Sequence, residues 1–97
     1  MNPTEYWRID APGSLAWREW EGEAVIHDDR TGATHFLGAA AASVWQAFQH
    51  AGRSVTPLEL AAKLDFTGQA PDAATGEIVA AVIAEFERLG LIRAESA

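Results

Sequence analysis

The period of the hydrophobic pattern changes once along this chain. From Leu15 to Leu37, short runs rich in aromatic and β-branched residues are broken at Gly22 and Gly32; from Ala39 onward, apolar residues recur at three- and four-residue spacing. The first regime predicts strands and the second helices. The expected strands are Leu15 to Trp20, Glu23 to Asp28 and Ala33 to Leu37, joined as an antiparallel meander. In the first, Leu15 and Trp17 share one face, while Ala16, Arg18 and Trp20 share the other. Glycine supplies the backbone angles that the two tight turns need, and Asp29-Arg30-Thr31-Gly32 reads as a type I turn closed by a glycine bulge.

Three helices are expected after the meander. Ala41, Val44, Trp45 and Phe48 make one face of a helix from Ala39 to Gln49, with Gly52 ending the segment. Thr56-Pro57-Leu58-Glu59 opens the second, with Thr56 as cap, Pro57 at the first helical position and Glu59 completing a capping box. Its apolar side is Leu58, Leu60, Ala61 and Leu64. After a loop at 65–71, a third helix capped by Asp72 or Thr75 runs to about Leu89. It carries a wide stripe of Ile78, Val79, Val82, Ile83, Phe86 and Leu89, wide enough to touch two surfaces. Gly90 ends it. Strands precede helices, so the expected class is α+β, a three-stranded antiparallel sheet followed by three helices. Residues 15–93 form the expected domain, 1–14 a flexible start, with packing of its Tyr6-Trp7 pair on the domain or a short ordered strand there as the alternative, and 94–97 a polar tail.

Composition narrows the functions open to this fold. The chain has 97 residues, enough for one domain with a core. It has no cysteine, which removes disulfides and thiolate metal sites. Residues 1–12 lack a signal pattern and no apolar run is long enough to span a bilayer, so a cytoplasmic location without membrane attachment is expected. The net charge of −7, with Lys63 the sole lysine, leaves no basic stripe for phosphate. The second and third helices could otherwise pass for a helix-turn-helix. The third, however, exposes Glu77, Ala81, Glu85, Glu87 and Arg88, a face that repels nucleic acid.

Candidate chemistry is sparse. His27 and His35 flank the hairpin turn beside Asp28 and Asp29 and, in one register, lie opposite each other as two metal ligands would. The simpler account makes them half-exposed strand residues. Glu19, Glu21, Glu23, Asp28 and Asp29 read as a solvated acidic rim, and no nucleophile–base–orienter set can be named, so no enzyme and no cofactor are expected. What remains is a binding module. The third strand is a sheet edge with unpaired N–H and C=O groups, open to a strand from another chain, and the third helix can wall a groove beside it.

In order and spacing the placed residues resemble the PqqD-like proteins. The residues are Trp17-Arg18-x-Trp20-x-Gly22-Glu23-x-Val25, the Thr31-Gly32-x-Thr34-His35-x-Leu37 hairpin, an alanine-rich helix holding Val44-Trp45, the capped Thr56-Pro57-Leu58-Glu59-Leu60-Ala61, and Leu89-Gly90-Leu91-Ile92. The branch they fit is the HPr-rel-A system PqqD family peptide chaperones, over nearly the whole chain after residue 14. The family often has Asn or Asp followed by Pro before the first helix, where Gly38-Ala39 stands here. The resemblance implies a winged-helix-like RiPP recognition element, a non-catalytic protein that captures the leader of a ribosomally made precursor peptide. It also implies presentation of that leader to a modifying enzyme, in this branch an HPr-kinase-related protein. Carried over, the leader pairs with Thr34, His35, Phe36 and Leu37 and lies against Val79, Val82, Ile83 and Phe86. Two other readings stay open: a winged-helix nucleic-acid binder, and a structural interaction module that dimerises through its Trp-rich sheet. The protein is accordingly expected as a monomer or homodimer.

Overall fold

A computed structural model describes residues 4–64 and 73–95. Among these residues five strands and three helices follow in the order β1 (Trp7–Ile9), β2 (Leu15–Trp20), β3 (Glu23–Asp28), β4 (Ala33–Leu37), α1 (Ala39–Ala51), α2 (Pro57–Lys63), α3 (Ala73–Arg88) and β5 (Ile92–Ala94). A 3-10 turn at Pro12–Ser14 leads into β2. The architecture is α+β, with a three-stranded antiparallel sheet β2-β3-β4 and three helices, compatible with a winged-helix-like fold.

The hairpins follow from local chemistry. Glu21 and Gly22 both have positive φ, 46° and 80°, which is the two-residue type I′ turn whose twist matches that of its strands. At the second hairpin, the Asp28 carbonyl accepts from Thr31 N at 3.3 Å and Gly32 N at 2.8 Å, and Gly32 takes φ 74°. The turn thus begins at Asp28, one residue before the expected start. Thr56 caps α2 as expected, its Oγ1 accepting from Glu59 N at 3.1 Å, but the Glu59 carboxylate that would complete a capping box pairs with Arg53 at 3.0 Å instead. α3 ends in a Schellman motif. Leu91 N donates to Phe86 O and Gly90 N to Glu87 O, each at 3.0 Å, with Gly90 at φ 77°. The expected cap Asp72 and the 65–71 loop lie outside the described residues, whereas Thr75, the alternative cap, stands inside α3, which is already helical at Ala73, and is buried.

One face of the meander packs on α1. Ala24, Ile26 and Leu37 meet Val44, Trp45 and Phe48, and Val79, Ile83 and Phe86 of α3 complete the core. Trp45 is its hub, with its ring edge-on to Phe86 at 5.8 Å and to Trp17 at 5.5 Å. Gln49, with its amide oxygen turned toward the two indoles, accepts from Trp45 Nε1 at 2.8 Å and also from Trp17 Nε1. In α2, Leu60 and Ala61 are buried while Leu58 is 62% exposed, so the expected apolar side is narrower than the sequence suggests.

The ends of the chain correct the sequence reading. Residues 7–9 were expected in a flexible start and residue 94 in a tail, yet β1 and β5 pair antiparallel from Trp7↔Ala94 to Ile9↔Ile92. Trp7 also exchanges backbone hydrogen bonds with Val55, both 2.8 Å, and its indole is buried. The reason is long range. Three residues on each side are too short to read as strands alone, and each is specified by the other, some 85 positions away.

An arginine closes the junction. Asp28 is 1% exposed, and Arg30 grips it with Nε to Oδ1 at 3.0 Å and Nη2 to Oδ2 at 2.9 Å. The same guanidinium reaches Asp10 Oδ2 at 3.0 Å and the Gly90 carbonyl at 2.9 Å. The hairpin turn, the segment after β1 and the end of α3 are thereby tied together. The Arg30 hydrogen bonds hold the Asp28 carboxyl below the ordinary carboxylate range, against the opposing effect of burial, and Asp28 and Asp10 keep Arg30 more firmly protonated.

Candidate functional site

The direction of each backbone group at the sheet edge follows from the register. In an antiparallel ladder, alternate residues turn their N–H and C=O to opposite neighbours. The two-residue turn makes Trp20↔Glu23 a hydrogen-bonded pair, so Glu23, Val25 and His27 address β2, and Ala24, Ile26 and Asp28 address β4. Their partners Leu37, His35 and Ala33 face β3 in return. Thr34 and Phe36 therefore aim their backbone groups outward, and among the described residues no strand meets them.

Side chains alternate across the same strand. Leu37 is buried and His35 half-buried on the face toward the helices, while Thr34 and Phe36 stand exposed on the outer face. Phe36 is 66% exposed and sits edge-on to Trp20, with ring centroids 5.6 Å apart.

The predicted helical wall divides in two. Val79, Ile83 and Phe86 are fully buried and belong to the core. Val82 is half-buried, and at helical spacing it shares a flank with Ile78, Glu85 and Leu89; Ile78 and Leu89 are also half-buried, Glu85 exposed. Arg30, in the β3–β4 turn, holds the Gly90 carbonyl at the end of α3 and so ties that end of the helix to the turn leading into β4. The Glu85 carboxyl is held low chiefly by Arg88, whose Nε donates to it at 3.0 Å. Glu85 and Ile78 were not among the predicted site residues. Their signal was the second, offset stripe on α3, which the sequence shows but does not assign to a neighbour.

The histidine pair does not converge. His27 faces Thr34 and His35 faces Ile26, so the two rings lie on opposite faces of the sheet. His27 Nδ1 bonds Thr34 Oγ1 at 3.0 Å, and its Nε2 lies 3.3 Å from Asp29. Among the described residues no group of three or more acidic or histidine side chains could hold a metal ion. The exposed face of α3 carries Glu77, Glu85, Glu87 and Arg88, with Glu85 and Arg88 paired to each other. Among the described residues no helix is long and apolar enough to cross a membrane.

A separate cavity of about 840 Å³ lies between β1, the end of α1 and Trp17, lined in part by Tyr6, Ile9, Phe48 and Arg53. Its charges are already matched, Arg8 by Glu95 at 3.7 Å and Arg53 by Glu59 at 3.0 Å.

No family model matches the chain, and no curated protein matches its sequence. Among solved structures, TbiB1 in complex with the TbiA(beta) leader peptide has the same fold. The TM-score is 0.72 at 13% sequence identity, covering 93% of this chain and 99% of that one.

Proposed function

We propose that the protein is a non-catalytic peptide chaperone of the PqqD-like kind, a RiPP recognition element working in the cytoplasm. It captures the leader of a ribosomally made precursor peptide by strand addition and presents it to a modifying enzyme, in this branch an HPr-kinase-related protein. The observation that carries the reading is the β4 edge, where Thr34 and Phe36 turn N–H and C=O groups outward and no strand among the described residues meets them. The likeness in fold to TbiB1, a protein solved with a leader peptide, supports it.

In this reading the guest bonds the backbone along 34–37, and alternate guest side chains fall against His35 and the Val82 flank. Val79, Ile83 and Phe86 act behind that surface as its rigid backing, since they have no area to offer a ligand. Backbone pairing gives affinity with little regard to sequence, and the flank adds selectivity.

Titration with candidate leader peptides, read by backbone amide shifts, tests the proposal. Shifts are expected at residues 34–37 and around Val82; their absence from both places would overturn it. A substitution sharpens the test. Thr34→Pro deletes one outward donor and leaves the β3–β4 ladder intact, because edge strands accept proline where the N–H faces solvent. It should weaken peptide binding roughly tenfold while the circular dichroism spectrum stays unchanged.

A further inference from the structure

An aromatic pair stands on the side of β4 that faces away from the helices. Phe36 and Trp20 are 66% and 39% exposed, on the outer face of the sheet, and touch each other edge-on. They approach diagonally across β3, where Val25 pairs with Phe36 and Glu23 pairs with Trp20. Exposed aromatics on an unpaired edge strand favour unwanted association, and proteins normally blunt such edges with charge or proline. Here the edge itself reads Thr34, His35, Phe36 and Leu37, with neither lysine nor proline.

The register says what would cover them. The outward backbone groups on β4 belong to Thr34 and Phe36, so a strand added there pairs one of its residues with Phe36 across the new ladder. Paired residues project to the same face, with Cβ atoms about 5 Å apart. The guest side chain at that position must therefore emerge on the outer face, against the Phe36 ring. The neighbours on either side along the guest turn instead toward α3.

We infer that the recognised peptide carries an aromatic or large aliphatic residue at the position paired with Phe36, and that the Phe36–Trp20 pair reads this residue on the face opposite α3. The inference rests on the strand-addition reading above and adds a second, outer specificity site to it. The guest is then gripped on both faces: by the Val82 flank through one set of alternate side chains, and by the aromatic pair through the other. A peptide apolar only at every second position would satisfy half of the site.

The experiment uses the full chain and a displayed library of random dodecapeptides. Enriched peptides are synthesised and titrated against wild type, Phe36→Thr and Trp20→Thr. Threonine keeps strand propensity at these exposed outer-face positions, and circular dichroism checks that each variant is folded. Amide shifts at residues 34–37 report whether a peptide adds to β4. Expected are peptides that add to β4 and carry an aromatic or large aliphatic residue at the Phe36-paired position. Phe36→Thr should weaken them about tenfold and Trp20→Thr about threefold. Replacing the peptide's residue by threonine should produce the same loss in wild type and little further loss in Phe36→Thr. Peptides that add to β4 with no preference at that position, and bind Phe36→Thr within twofold of wild type, overturn the outer site and leave strand addition standing. Peptides that never shift residues 34–37 overturn both. A chain that dimerises with these amides already protected overturns the outer site as well, because the occupant is then a second copy.

Discussion

Glu21 and Asp28 show how single residues carry opposite signs of stability in this protein. Glu21 sits at φ 46°, left-handed backbone that an L residue with a long side chain occupies at a penalty of roughly 1–2 kcal/mol. Asn tolerates that region far better, so Glu21→Asn is expected to stabilise the fold by about 0.5–1 kcal/mol, seen as a higher thermal midpoint. Asp28 works the other way. Its carboxyl is depressed in the folded state by Arg30, so its contribution is present above the ordinary carboxylate pKa and is lost as pH falls through the depressed value. Acid titration of unfolding should therefore show stability falling below about pH 4, and Asp28→Asn should flatten that slope while lowering the midpoint at neutral pH. Arg30→Lys should resemble Arg30→Ala more than wild type, because an ammonium cannot bridge Asp28, Asp10 and Gly90 from one planar group.

At the scale of the element, α2 separates local signal from tertiary placement. Its start was fully written in the sequence: the Thr56 hydroxyl, the Pro57 ring and the Glu59 amide meet within one turn of chain. Its apolar side was not, because Leu58 and Leu60 differ only in which direction the helix turns them, and the packing of α2 on α3 decides that. Thr56→Ala is expected to cost about 1 kcal/mol, and Leu58→Ala less than about 0.5 kcal/mol, by urea denaturation. The same distinction runs along α3. Its single wide stripe resolves into an enclosed row, Val79, Ile83 and Phe86, and a half-open flank around Val82. Helical spacing gives both rows and cannot say which one meets the core. The four α3 positions expected to face a peptide thus have two different surroundings, and of the four only Val82 keeps accessible surface.

For the molecule as a whole, the pairing of the chain ends is the feature with the largest consequence. β1 and β5 bring residues near both ends together, and Trp7 fills the space beside Val55. Trp7→Ala is expected to destabilise by roughly 3–5 kcal/mol, measured as a shift in the urea midpoint. An unattached segment before residue 15 would leave the midpoint unchanged. This closure also sets the sheet edges. The end strands pair with each other, not with β4, so among the described residues no strand covers that edge of the meander.

By itself the sequence determined the local events: where strands give way to helices, the two hairpin turns, the cap of α2 and the stop at Gly90. Each is settled by residues a few positions apart, whose sterics and hydrogen bonds act before any tertiary contact forms. The tertiary structure alone decided which sheet edge is left without a partner among the described residues, which row of α3 is enclosed, which way His27 and His35 point, and that residues 7–9 pair with 92–94. Those outcomes depend on register and packing between distant segments, where a shift of one residue reverses every face and leaves the local pattern unchanged.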